Sequence, residues 1–198
     1  MKEISDIMSE NRDHLIEMDS IVGDGDLGLT MGDGFKAAYE KVADGSITDA
    51  GKLLYQAGKA MASAVPSTMG TLMASGLMQA GKVLKGTEML ENADVAKLFE
   101  AYEAGVANRG KAKVGEKTFI DGIHPAVESL NAAAASGASL EEMAAGAVKA
   151  AEDGFKNTTT MLAVHGRAAT RGEASRSLED PGAYVAVLIM KAFENSTK

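Results

Sequence analysis

Asp19, Asp24 and Asp26 fall within one glycine-punctuated stretch, Met18-Asp19-Ser20-Ile21-Val22-Gly23-Asp24-Gly25-Asp26-Leu27-Gly28-Leu29-Thr30. Three carboxylates confined so closely repel one another unless a positive charge sits between them. Oxygen-only ligation, with no Cys or His inside the cluster, favours a hard cation, Mg²⁺ over Zn²⁺. Gly23, Gly25 and Gly28 admit turns closed to other residues, so that alternate side chains can converge. A solvated acidic loop is the competing reading, because Asp is also an ordinary turn former. An EF-hand is excluded: counting from Asp24, position five is Gly28, the glycine required at six is Leu29 and the bidentate acid required at twelve is Phe35.

A carboxylate site that leaves water positions open on Mg²⁺ suits phosphates, which makes a nucleotide polyphosphate the natural ligand. Phosphoryl transfer needs charge neutralisation and in-line positioning more than covalent chemistry on the protein. Two Mg²⁺ would set about four positive charges against three carboxylates and roughly three charges on the nucleotide. Arg167, expected just past a helix end, offers a guanidinium for phosphate or base, or simply complements the helix dipole. The turn Ser63-Ala64-Val65-Pro66-Ser67-Thr68-Met69-Gly70-Thr71 leads into a helix whose free N–H groups can bind an anion. It lacks the G-x-x-x-x-G-K-[ST] spacing and reads first as an ordinary capped turn. His14, His124 and His165 are far apart with no nucleophile spaced around them, which argues against a hydrolytic triad.

The elements that must position these groups read as helices. The chain has 198 residues with 22 Gly, 3 Pro, 12 Met, no Trp and 5% aromatic content, so its core is built from Ala, Leu, Val and Met. Such residues favour closely packed helices, and the methionines at helical spacing are core filler. Glycine in a helix interior costs about 1 kcal/mol relative to Ala, so the glycines belong in loops or at close crossings. No sustained alternation marks a strand. The periodicity predicts eight helices: about 2–17, 30–42, one capped by Thr48 and ended by Pro66, one capped by Ser67 or Thr68 and carrying Leu72 to Val83 before a turn at 86–92, 93–108, 123–135 with Pro125 in its first turn, one from a Ser139/Glu142 capping box to about Val164, and 182–193. The last is apolar nearly all round and belongs in the middle of the bundle. The connection from His165 to Pro181 is the longest irregular stretch, of the kind that is functional or simply solvated.

The sequence is expected to form one domain over residues 1–198. A formal charge of -8 with no basic run argues against nucleic acid or an anionic membrane as partner. The absence of Cys suits a cytoplasmic protein, and neither a signal peptide nor a membrane-length apolar run is evident.

Taken together, the motifs resemble the DhaL family, the nucleotide-binding subunits of bacterial dihydroxyacetone kinases. Asp19, Asp24, Asp26 and Gly28 match its pattern Asp-x4-Asp-x-Asp-x-Gly. Arg109-Gly110-Lys111-Ala112, Gly115-Glu116-Lys117-Thr118 with Asp121, and Pro125-Ala126-Val127-Glu128-Ser129-Leu130 resemble its R-G-K-A, G-D-K-T and P-V-V-E-S-L stretches. Gly166-Arg167-Ala168 and Asp180-Pro181-Gly182-Ala183 resemble its G-R-A and D-P-G-A. The match spans most of the chain in order.

The resemblance implies an all-α barrel of eight antiparallel, amphipathic helices with ADP or ATP and two Mg²⁺ at one end. It implies Asp19, Asp24 and Asp26 as metal ligands. It places Leu27, Gly28, Leu29, Thr30, Ala64, Val65, Ser67, Thr68, Gly110, Thr118, Phe119, Arg167, Asp180, Pro181 and Gly182 around the nucleotide. The implied partners are a DhaK-like substrate subunit and, in phosphotransferase-dependent members, a DhaM-like phosphoryl donor. The implied activity is phosphoryl transfer to a small hydroxy-ketone held by the partner. A non-catalytic paralogue, an ATP-dependent kinase subunit for another ketose or polyol, and the kinase domain of a fatty-acid or other small-molecule kinase are the rivals.

Two departures bear on the nucleotide. Leu27 stands where the family has His, and Ser63-Ala64-Val65-Pro66 stands where it has a Gly-Ala-Ser-Gly loop. Val65 has no hydroxyl to donate and Pro66 has no N–H. Ser67 or Thr68 is expected to compensate.

Overall fold

A computed structural model describes residues 1–198, and all its regular secondary structure is helical. Nine α-helices follow one another: α1 Lys2–Glu10, α2 Arg12–Val22, α3 Leu27–Val42, α4 Ala50–Ala64, α5 Thr68–Val83, α6 Asn92–Gly110, α7 Phe119–Ser136, α8 Leu140–Asn157 and α9 Pro181–Ser196. Short 3₁₀ segments cover Thr158–Thr160 and Ala168–Ser175. The all-α expectation holds, with one helix more than the eight expected.

The extra helix comes from residues 2–17, which divide at Asn11 (φ −97°, ψ 10°) into α1 and α2. The Asn11 side-chain Nδ2 donates to the Ile7 carbonyl at 2.8 Å, sharing it with the Asn11 backbone N–H at 3.1 Å, a local competition with the helix ladder that asparagine makes readily. Helix α8 stops at Asn157 instead of reaching Val164, because the hydroxyls of Thr158, Thr159 and Thr160 each bond a carbonyl three residues back and tighten the chain. Helix α3 begins at Leu27, not Thr30, and α7 at Phe119, not Ile123. Pro125 therefore lies inside α7 and not in its first turn. A proline there removes the N–H that would bond the Asp121 carbonyl. Gly154 of α8 packs against that same carbonyl, where any side chain would collide.

Helices α3 to α7 each pack on the next, while α7, α8 and α9 pack on one another. Helix α9 also touches α1, which lies on α3, so the order of neighbours returns to its start. One hydrophobic core joins the helices, with Met8, Phe35, Met61, Met73, Ile123 and Met190 fully enclosed. Helix α9 buries Val185 through Met190 without interruption, as its all-round apolar sequence requires. Glycines permit the closest crossing. A Cβ on Gly51 would lie 2.5 Å from the Gly81 carbonyl oxygen, and one on Gly81 2.6 Å from that of Gly51. No helix is long and apolar enough to cross a membrane.

Candidate functional site

The acidic cluster is assembled by one helix end, one turn and one helix start. Asp19 projects from the last turn of α2, Asp24 lies in the turn, and Asp26 stands at the N-cap position of α3 without a capping bond from its own side chain. Asp19 Oδ2 accepts the backbone N–H of Asp26 at 3.0 Å and that of Leu27 at 3.3 Å, so it satisfies N–H groups at the start of α3 that have no partner within the helix. The turn needs its glycines: a Cβ on Gly23 would overlap Asp19 Oδ1, and Gly25 has φ +75°. One carboxylate oxygen from each aspartate lies within 4.8 Å of the other two. Burial first, then Asp24 and Asp19, push the Asp26 carboxyl above its ordinary range, and Arg167 opposes them. The Arg167 Nη2 sits 2.7 Å from Asp24 Oδ2. Three converging hard oxygen donors that repel one another fit a divalent cation such as Mg²⁺.

Beside the cluster opens a cleft of about 490 Å³, within the range of small-molecule sites. Four helix N-termini converge on it. Asp26 and Leu27 bring the start of α3, Ser67 to Met69 that of α5, Thr118 to Ile120 that of α7, and Asp180 to Gly182 that of α9. Each N-terminus brings partial positive charge, and free N–H groups remain at the starts of α5, α7 and α9, whereas at α3 Asp19 already holds those of Asp26 and Leu27; together they favour an anion. Side chains fix their geometry: Ser67 Oγ accepts Gly70 N–H at 3.0 Å, Thr118 and Asp121 form a capping box, and Asp180 Oδ2 accepts Ala183 N–H at 2.7 Å. Burial pushes the Asp180 carboxyl up to about 7, against the pull of its backbone hydrogen bonds and Lys117.

Of the residues named from sequence, Asp19, Asp24, Asp26, Leu27, Ser67, Thr68, Gly110, Thr118, Phe119, Arg167, Asp180, Pro181 and Gly182 line this cleft. Gly28, Leu29, Thr30, Ala64 and Val65 do not. Gly28 is where α3 crosses α2, and a Cβ there would overlap the Arg12 carbonyl oxygen. Thr30 and Val65 are buried, while Leu29 and Ala64 are exposed away from the cleft. Val65 instead packs its carbonyl and side chain against Gly70.

Sequence reasoning did not single out Lys117, His165 or the apolar wall of Met69, Leu72, Val106 and Ile120. His165 Nε2 lies 2.6 Å from Glu116 Oε2, joining the turn before α7 to the long connection before α9, and this contact chiefly lowers the Glu116 carboxyl. Nothing local in the sequence marks that pairing, since 49 positions separate the two residues.

The DAK2 domain model matches residues 21–195. The ADP-binding subunit DhaL of the PEP-dependent dihydroxyacetone kinase of Escherichia coli (strain K12) is 32% identical over 193 residues, covering 98% of this chain and 92% of its own length. The L-erythrulose kinase of Pectobacterium atrosepticum is 32% identical over 189 residues, which are 94% of this chain and 32% of that protein. Among solved structures, the dihydroxyacetone kinase from C. freundii in complex with AMP-PNP and Mg²⁺ superposes with a TM-score of 0.75 at 23% identity. That superposition covers 98% of this chain and 32% of the other, so the present chain spans about a third of that kinase and shares its fold.

Proposed function

Because the chain belongs to the DAK2 domain family and is of the DhaL type, we propose that it is the ADP-binding subunit of a kinase for a small hydroxy-ketone, active with partner subunits. The observation that carries this reading is the convergence of four helix N-termini beside three carboxylates. Phosphate oxygens would face the N-termini, and divalent ions would lie between phosphates and carboxylates. Asp19, Asp24 and Asp26 would hold two Mg²⁺, which when bound neutralise phosphate charge. The chain's own groups do the rest. The starts of α5, α7 and α9 hold phosphate oxygens, Arg167 adds a guanidinium, and Met69, Leu72 and Phe119 offer an apolar surface to the base. No side chain in the cleft is needed as a base, because positioning and charge are what phosphoryl transfer asks of the protein.

The expected cycle keeps ADP bound as a coenzyme, phosphorylated by a DhaM-like donor and discharged to substrate on a DhaK-like subunit. On this reading the protein acts in the cytoplasm with partner proteins, as a single domain over residues 1–198. Ser67 and Thr68 line the cleft where Val65 and Pro66 cannot donate, which supports their taking over that role. The test is reconstitution with substrate and donor subunits. Phosphorylation of dihydroxyacetone that needs this chain supports the proposal. Tight ADP binding without any transfer would mark a non-catalytic paralogue, and transfer only from free ATP would replace the phosphoprotein donor.

A further inference from the structure

Lys117 is only 3% exposed, although it borders a cleft suited to an anion. A lysine there invites reading as a phosphate ligand. Its hydrogen bonds rule that out: an ammonium has three N–H donors, and Lys117 Nζ gives one to each of three backbone carbonyls. These belong to Thr158 at 2.5 Å, Arg176 at 3.2 Å and Leu178. None remains for a ligand.

The backbone around Lys117 is fixed from the other side. Lys117 has φ +59°, a left-handed conformation that a side chain disfavours and that persists only where neighbours enforce it. The enforcing group is Asp121, 3% exposed, whose Oδ1 accepts Gly115 N–H at 2.6 Å and Oδ2 accepts Thr118 N–H at 2.8 Å. The turn is thereby clamped to α7, while the side chain crosses to the end of α8 and to residues just before α9. Thr158 extends the link, its Oγ1 accepting the Asp180 N–H at 3.2 Å. Between those anchor points runs the segment bearing Arg167.

We propose that Lys117 is a positioning residue for the nucleotide site: it ties residues 158–180 to the start of α7, so that Arg167 and the N-terminus of α9 face the cleft, and touches no ligand itself. The inference rests on the nucleotide reading above for its consequence, and on the hydrogen bonds alone for its cause.

The test uses the full chain as wild type, Lys117→Met and Lys117→Gln, the last retaining two N–H donors. Hydrogen exchange across residues 158–180 of the ligand-free protein should rise about tenfold or more in Lys117→Met and less in Lys117→Gln, with α4 and α5 unchanged. Affinity for Mg–ADP should fall about tenfold, while Mn²⁺ alone still binds the three aspartates. Arg167→Ala should weaken Mg–ADP in wild type and add little in Lys117→Met. Unchanged exchange in the segment would overturn the proposal. So would lost ADP affinity with exchange intact, which would make Lys117 a direct ligand, or full additivity with Arg167→Ala. A wild type that binds no ADP would sink the nucleotide reading instead, leaving the exchange comparison to decide Lys117. If Lys117→Met does not fold, Lys117→Gln decides by the same criteria.

Discussion

Arg167 holds Asp24 through a half-exposed ion pair, so the guanidinium already sits against one of the oxygens a cation would use. Metal alone must compete with it, whereas a nucleotide gives the arginine a new partner. Arg167→Ala is therefore expected to bind Mn²⁺ up to about threefold more tightly and Mg–ADP about tenfold more weakly, both readable by calorimetry. Equal loss of both would contradict this division. Asp180 offers a pH test. Its folded pKa of about 7 exceeds the ordinary 3.8, so the folded state binds more protons between those values. The stability it contributes is fully present below about pH 4 and is lost as pH rises through about 7. Asparagine caps a helix as well as aspartate, so Asp180→Asn should gain in Tm on the wild type at pH 8, with the gap narrowing at pH 5. A gap that is constant across pH would refute the assignment.

At the scale of elements, the helices were largely legible because their signals are local. Adjacent residues reveal the Ser139/Glu142 capping box, whose two bonds the structure makes, and of the two caps open for α5, Ser67 or Thr68, the structure uses Ser67. The misreadings arose where a side chain competes with the helix ladder or where caps were overlooked. Asn11 broke a predicted helix, three consecutive threonines shortened another, and the Thr118/Asp121 box started α7 earlier than expected. The Asp19 to Asp26 spacing made the acidic cluster readable. Gly28, which the family motif implies beside the nucleotide, sits at the α2–α3 crossing, which places Asp19 against the start of α3. Gly28→Ala is expected to destabilise the fold by about 1–3 kcal/mol in urea, despite alanine's better helix propensity. Neutral or increased stability would show that the crossing can relax.

Across the whole molecule, what stayed illegible was convergence. Four N-termini separated by some 150 positions open on one cleft, and no stretch of sequence announces that. Lys117 and His165 were invisible as site residues for the same reason, since their partners lie 41 to 61 and 49 positions away. The acid excess, a net charge of -8, is consistent with a cation-dependent anion site, in which metal reconciles an acidic protein with a phosphate ligand. Native mass spectrometry of the purified chain, with and without added ADP and Mg²⁺, tests that claim most directly. The expected result is a complex heavier by one ADP and two magnesium ions, retained in the wild type and lost in Asp24→Asn/Asp26→Asn with the helical fold intact. Binding of ADP that is indifferent to both the metal and the two aspartates would contradict it.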